Sequence, residues 1–493
     1  METDKGDQQG GVGTYKGTPQ GIRTELREGA VGLPGVLMQG VATIAPAFAI
    51  LASYVFITTY AGIVTPWAYL FGGALLAVQA VSAAQLAKVF PSAGGWYTWI
   101  ARALHPRAGF FAGWLFSIWL PPVGALTLSL LGHDVLQPAL KQEYGVNIPW
   151  QLWPILGLVL VAWWSYSGIK VSERFMILTG IIEIVLMTAL AVTALANPGP
   201  GGFSFAPLNP GNFHLAPNLF LGIVFSIFAF SGWEATAPLA EESRNPRRNV
   251  PIGLVGSVLI LMAYFVFVTW GYHVGWGVAR VSQINFDIPF PVFTVATRVW
   301  GGAWVLILFA LLNSAIAVSI ACFNGGTRTW YGMGRSGVLP AWLGKVNPRR
   351  QTPDNAIHLE LGVNALAFVL ILIFGADNTF FTWANTITLG LIVMYALANI
   401  AVVKYYLTEG RSQFNPILHI GAPVVATAAG AVVVWKSYFS PFPKTGPVLW
   451  GLEVFAVVVL GAILVLLYLR SRGQEEWLEQ AQRVFEESDG GGH

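Results

Sequence analysis

The sequence predicts an all-α polytopic membrane protein. Twelve transmembrane helices form a five-plus-five inverted repeat of spans 1–5 and 6–10, with broken helices 1 and 6 and two extra helices. Three observations carry this. First, only 10% of the 493 residues are charged and 55% are apolar, whereas soluble domains carry roughly 25% charge. Such a composition would expose apolar surface that water does not tolerate. Second, residues 29–87 hold no charged side chain. As helix they would run about 88 Å, nearly three hydrocarbon thicknesses, so the stretch must cross and return. Third, two mid-span interruptions recur five spans apart.

The apolar stretches break at Pro/Gly clusters and charges. The spans fall near 32–58, 65–88, 108–132, 148–169, 175–196, 216–240, 250–275, 299–324, 356–376, 381–405, 416–438 and 446–469. They are continuous rather than alternating, which favours helices over a barrel. Residues 1–28 are a polar cytoplasmic tail, 29–470 the membrane domain and 471–493 a second cytoplasmic tail. In that last stretch Trp477, Leu478, Ala481, Val484 and Phe485 share a helical face opposite several Glu, so its polar side is acidic and does not suit anionic lipid headgroups. Twelve spans put both termini on one side. With the N-terminus inside, 22 Lys/Arg are cytoplasmic and 5 are external, so both termini are expected in the cytoplasm of a multi-pass plasma (inner) membrane protein.

Several functions are excluded or disfavoured. Cys322 is the only cysteine, which removes disulfide scaffolds, zinc fingers and iron–sulfur clusters. The seven His are scattered without HExxH spacing, so a membrane enzyme is not expected, and neither is a cofactor. A channel would favour a polar lumen or rings of charge. Net charge is only +3, and no nucleic-acid partner is expected.

Span 1 reads Gly-Val-Leu-Met-Gln-Gly-Val-Ala-Thr-Ile-Ala-Pro-Ala-Phe-Ala from Gly35 to Ala49. Pro46 removes a backbone donor and clashes with the preceding turn. Span 6 reads Phe-Ala-Phe-Ser-Gly-Trp-Glu-Ala-Thr-Ala-Pro from Phe228 to Pro238, and Ser231-Gly232 interrupts it. Broken helices expose backbone N–H and C=O groups, tolerable only where they line a cavity. The predicted substrate-binding residues are therefore Thr43, Ile44, Ala45, Ala47, Phe228, Ala229, Ser231 and Gly232. An acid at mid-membrane costs ~2.5–3.5 kcal/mol on insertion scales and marks a functional candidate. Glu183 in span 5 and Glu234 beside the second break qualify. Glu453 in span 12 lies outside the repeats and reads as structural or interfacial.

These segments match a family pattern. Ala229-Phe-Ser-Gly-Trp-Glu234, then Glu-Glu-Ser-Arg-Asn-Pro-Arg-Arg-Asn-Val-Pro at 241–251, resembles the sixth-helix signature of the amino acid–polyamine–organocation (APC) permeases. Phe-Pro-Ser-Ala-Gly-Gly-Trp-Tyr at 90–97 with Gly109-Phe110 and Gly113-Trp114 is similar to the family's loop between helices 2 and 3. Gly168-Ile169-Lys170-Val171-Ser172 resembles the start of its helix 5. Arg328 with residues 334–340 resembles the end of its helix 8. Gly332-Met-Gly-Arg-Ser-Gly337 also satisfies GxGxxG, but a membrane span precedes it where a dinucleotide site needs a strand.

The resemblance implies alternating-access secondary transport of an amino acid, with a polyamine or related amine, or exchange, as the alternative. It implies a small-molecule substrate, a coupling ion and surrounding membrane lipids as partners. Many members carry a Gly-Ser-Gly-type first break whose bare amides take the substrate carboxylate. Here Thr43-Ile44-Ala45-Pro46-Ala47 stands there, as in some amine and polyamine carriers, and Pro46 has no amide to donate. Phe228 corresponds to an aromatic that closes over substrate, a gate. Glu183 falls where some proton-coupled members have Lys, so it is expected to couple transport to a proton, with an ionised Glu183 holding a sodium ion or the substrate's ammonium as the competing reading. Glu234, Ser314 and Ser319 are the further ion candidates. Members tied to a heavy subunit use an external cysteine, whereas Cys322 lies within span 8, so no disulfide-linked heavy subunit is expected.

Overall fold

The computed structural model describes residues 29–167, 169–284, 291–335, 338–440 and 445–471. The expected tails at 1–28 and 472–493, and Gly168, lie outside them. Among the described residues the architecture is all-helical, and the only bridge is an isolated parallel pairing of Val31 with Ser243. Ten segments are long and apolar enough to cross a membrane. One of them, Leu33–Val89, has 57 residues, and the apolar helix Leu152–Ser167 falls just short of the span length.

Both predicted breaks are present. Helix α1 (Leu33–Ile44) ends at Ala45, whose φ of 58° is left-handed, and α2 (Pro46–Ala61) starts on Pro46. The proline explains both facts. Its ring pushes the preceding residue out of the helical region, and its fixed φ and missing N–H suit a first helical turn. The strained residue is therefore Ala45, one position before the proline. The α3 helix (Thr65–Val89) returns, and the loop behind it folds as α4 (Trp96–Ala103). The third apolar stretch runs continuously from Pro106 to Leu136 as α5 (Pro106–Trp119), α6 (Val123–Leu130) and a π-helical turn, followed by α7 (Gln137–Tyr144). Then come α8 (Leu152–Ser167) and α9 (Ile169–Ala196).

The second break follows α10 (Leu219–Ala229). Gly232 takes a φ of 135°, and Trp233–Glu242 continues as a 3-10 helix that contains Pro238. Next are α11 (Pro246–Trp276), α12 (Pro291–Trp300), α13 (Val305–Arg335), α14 (Asp354–Phe374), α15 (Ala376–Thr408), α16 (Ala422–Val434) and α17 (Gly446–Ser471). Span 8 was expected to end near 324, but α13 continues to Arg335. Asn324, Thr327 and Arg328 lengthen it as a buried polar turn.

Packing brings the two breaks together. The α1 half-helix lies on the 3-10 segment, α2 lies on α10, and α3 runs along α11. A side chain at Gly232 would put its Cβ 2.6 Å from the carbonyl carbon and oxygen of Thr43, so the breaks touch through backbone. Glycine is required there twice, by contact and by φ.

The segments that carry the family resemblance converge at the α1 end of the molecule. Arg328 of α13 donates Nε–H to Glu242 Oε2 at 2.9 Å, with both side chains buried. Arg335 pairs with Glu241 at 2.5 Å. Glu241 also accepts the Ala93 amide at 3.0 Å, and the Trp96 indole donates to the Glu234 carbonyl at 3.2 Å. This end is closed by packing and two ion pairs.

Candidate functional site

A cavity of about 490 Å³ lies beside the breaks, on the side of α2 and α10. That volume suits one small molecule. Thr43, Ile44, Ala45, Phe228, Ala229 and Ser231 all line it. Ala47 and Gly232, also predicted, are buried and do not line it; their amides are bonded to Glu183 and Glu234. Phe48, Phe56, Tyr60, Trp119, Phe225, Phe228, Phe380, Phe381 and Tyr438 make the wall strongly aromatic. Among the described residues, none that lines it is charged. Phe228 faces this space, half-buried, near the edge-on pair Phe48–Phe380.

The backbone donors at the first break are in use, and they point away from the cavity. Pro46 has none. The Ala47 amide donates to Glu183 Oε1 at 2.5 Å, and the Phe48 amide to Ser314 Oγ at 3.1 Å. Ser314 in turn donates to Glu183 Oε1 at 2.7 Å, and Asn313 Nδ2 reaches Oε2 at 3.3 Å. Glu183 thus ties α9, α2 and α13 together, and none of these partners is a cation. Negative charge at a helix N-terminus is favourable, so the carboxylate caps α2.

The second break has the same arrangement. Glu234, fully buried, accepts the Gly232 amide through Oε2 at 2.7 Å, and its Oε1 has no partner. Each second half-helix therefore starts under one of the protein's own carboxyl groups.

Ser319 does not join this cluster; its hydroxyl donates to the Ala315 carbonyl at 2.7 Å on its own helix. Glu453 is exposed on α17 and takes no part. One participant, Asn313, and one buried acid outside the cluster, Glu360, are not among the expected site residues. Asn313 is a polar neighbour of Ser314 inside an apolar span, a signal that was present. Glu360 is fully buried on α14 with both carboxyl oxygens unpartnered, and the rule that picks out Glu183 applies to it equally.

The arrangement is two broken helices around a small closed-ended cavity, in a chain with many membrane-crossing helices. That describes a membrane carrier for a small molecule. The family model described as amino acid permease matches residues 35–472, and the chain belongs to this family of transporters, whose members are permeases rather than enzymes. Relatives include the low-affinity putrescine importer PlaP of Escherichia coli (strain K12), 24% identical over 80% of this chain and 85% of that protein. The glutamate/serine transporter AimA of Bacillus subtilis (strain 168) is 23% identical over 78% and 74%. Cationic amino acid transporter 1 of Arabidopsis thaliana is 29% identical over 54% and 43%.

Proposed function

We propose that the protein is a secondary active transporter of the plasma membrane that carries an amino acid or a related amine by alternating access. Read as two crossings, Leu33–Val89 adds one to the ten apolar segments, and Leu152–Ser167 adds another, giving twelve. Spans 1–5 and 6–10 then form the inverted repeat, and an even number returns both termini to the cytoplasm. The observation that carries the reading is the contact of two helix breaks beside an aromatic, uncharged cavity. With the N-terminus inside, that cavity opens outward and the ion-paired end is the closed cytoplasmic gate. Phe228 is the aromatic that closes over cargo.

Glu183 is the proposed proton carrier. Ionised, it holds Ala47, Ser314 and Asn313; protonated, it is a weaker acceptor, and α2 is freer to shift against α9 and α13. Glu234 sits at the second break as a further candidate. The test is counterflow and gradient-driven uptake in proteoliposomes, with cargo first found by thermal shift, since a ligand of the folded state raises apparent stability. A carrier shows saturation and counterflow. Glu183→Gln, which mimics the protonated form, should retain counterflow and lose accumulation driven by a pH gradient. Accumulation that needs sodium and ignores pH would reject the proton assignment.

A further inference from the structure

We propose that Glu360 is a proton site of the cytoplasmic half, loaded while the ion-paired end is closed and emptied to the cytoplasm when that end opens. The proposal rests on the carrier reading above and extends its proton chemistry to a second acid, one outside the cavity wall.

Position comes first. Glu360 lies about 9 Å into α14 from its start at Asp354. Its carboxyl group rests on the backbone of α13 at Gly326, where a Cβ would come 2.7 Å from Oε2 and 3.0 Å from Oε1. Only glycine leaves the carboxyl that seat. Gly326 is one helical turn after Cys322, which lines the cavity, and two residues before Arg328. The acid therefore sits between the cavity and the cytoplasm, level with the buried Arg328–Glu242 pair.

Its surroundings give a carboxylate nothing. Glu360 is 0% exposed and neither oxygen has a hydrogen-bond partner. On α13, Arg328 spends its guanidinium on Glu242, Asn324 and Thr327, and Arg335 holds Glu241 beside Tyr331. Asn364, one turn along α14, donates to the Pro121 and Glu360 carbonyls at 2.7 and 3.0 Å and accepts the Ala125 amide. Asp354 accepts from Asn347 and Thr352, and the His358 ring packs on Tyr166 of α8, which also carries Arg350. Lys404 of α15 donates to the Leu104 carbonyl, and Asp377 lies at that helix's opposite end. The α6 helix and the Ala341–Gly344 turn hold no titratable side chain. Cys322 lies within electrostatic reach of Glu360 and Glu234, and neither a thiol nor a second carboxyl brings positive charge.

An ionised carboxylate so placed is far costlier than a neutral one, and such a group keeps its proton instead. Glu183 is the contrast. Three donors favour its carboxylate in the same conformation, so the two buried acids hold opposite charge states. Opening the cytoplasmic end parts Arg328 from Glu242 and admits water at the level of Gly326. Glu360 then ionises, and its proton leaves to the cytoplasm.

The experiment uses proteoliposomes of the intact protein carrying Glu360→Gln or Glu360→Met, with radiolabelled amino acids and putrescine as probes. Counterflow needs no net proton release and should persist in both. Net uptake driven by a pH gradient should fall by about tenfold per unit of gradient, the driving force of one proton. Both variants should unfold no lower than wild type, since removing an unpartnered buried polar group does not cost stability. Infrared difference spectra of wild type against Glu360→Gln at neutral pH should show the C=O stretch of a protonated carboxyl group. Wild-type gradient-driven uptake in both variants, with Glu183→Gln still uncoupled, would overturn this proposal alone. A carboxylate band in place of the protonated one, or a clearly lower midpoint in both variants, would do the same. Wild-type uptake that ignores pH would overturn it together with the proton assignment of Glu183. Absence of saturable counterflow in the wild type would overturn the carrier reading and this proposal with it.

Discussion

Glu183 accepts three hydrogen bonds, from the Ala47 amide, the Ser314 hydroxyl and Asn313 Nδ2, and Asn313 Nδ2 also donates to the Thr179 carbonyl at 3.1 Å. Replacing it with Ala leaves the Ala47 amide and the Ser314 hydroxyl facing a dry void, while Asn313 keeps its bond to the Thr179 carbonyl. Each unsatisfied buried group costs about 1–3 kcal/mol, so Glu183→Ala should lower the thermal midpoint clearly, while Glu183→Gln, which keeps an acceptor oxygen, should lower it little. Equal midpoints for both variants would show that these bonds do not hold α2. Gly232 offers a second test. Its φ of 135° and the 2.6 Å approach of a Cβ to the Thr43 carbonyl mean that Gly232→Ala must push the two breaks apart. The variant should insert and remain monodisperse yet lose cargo binding. Normal binding would mean that the contact between the breaks is incidental.

Among the elements, the first broken helix depends on one residue. In Pro46→Ala the ring no longer excludes Ala45 from helical geometry, and an amide returns that can bond within a continuous helix. Joining α1 to α2 should leave stability unchanged or higher and reduce counterflow at least about tenfold, because the left-handed turn at Ala45 is strain held for function. Wild-type flux with an unbroken helix would contradict this. The ion pairs at the closed end differ by burial. Arg328–Glu242 is 1% exposed on each side, whereas Arg335–Glu241 is 35% and 22% exposed. Arg328→Met strands a buried carboxylate and should cost about 3–5 kcal/mol, recovered in large part by adding Glu242→Met. Arg335→Ala should cost under about 1 kcal/mol. Thermal unfolding in detergent separates the two. Similar losses for both would mean that burial does not set the strength of this gate.

The distribution of Lys and Arg predicts the orientation of the assembled protein. A reporter fused after Ser471 should be active only in its cytoplasmic form, and one placed in the 197–218 loop only in its external form; the reverse pattern would invert every statement about which gate is closed.

Much of this architecture was legible because its determinants are local. Pro46 and Ser231-Gly232 announce the breaks through their own backbone chemistry, and the apolar runs announce the helices. What could not be read is pairwise and distant. Glu183 stands out as an acid in a span, but its partners Ala47 and Ser314 are 136 and 131 residues away. Nothing in the sequence says that its carboxyl group covers a half-helix rather than facing cargo. Ser314 and Ser319 look alike in the sequence, and only packing shows that one faces Glu183 while the other bonds its own helix. Glu360, an acid within a predicted span, is legible by the same rule as Glu183.

The account stands on cargo occupying the cavity beside the breaks, and substrate protection tests that. Cys322 is the only native cysteine, so Ser231→Cys in a Cys322→Ser background places a single thiol on the cavity wall. Its alkylation by a small water-soluble reagent, timed with and without saturating cargo, should slow at least about tenfold when cargo is bound, while a control thiol at Glu453→Cys is unaffected. An unchanged alkylation rate at Ser231→Cys, in protein that still transports, would place the cargo elsewhere and contradict the account.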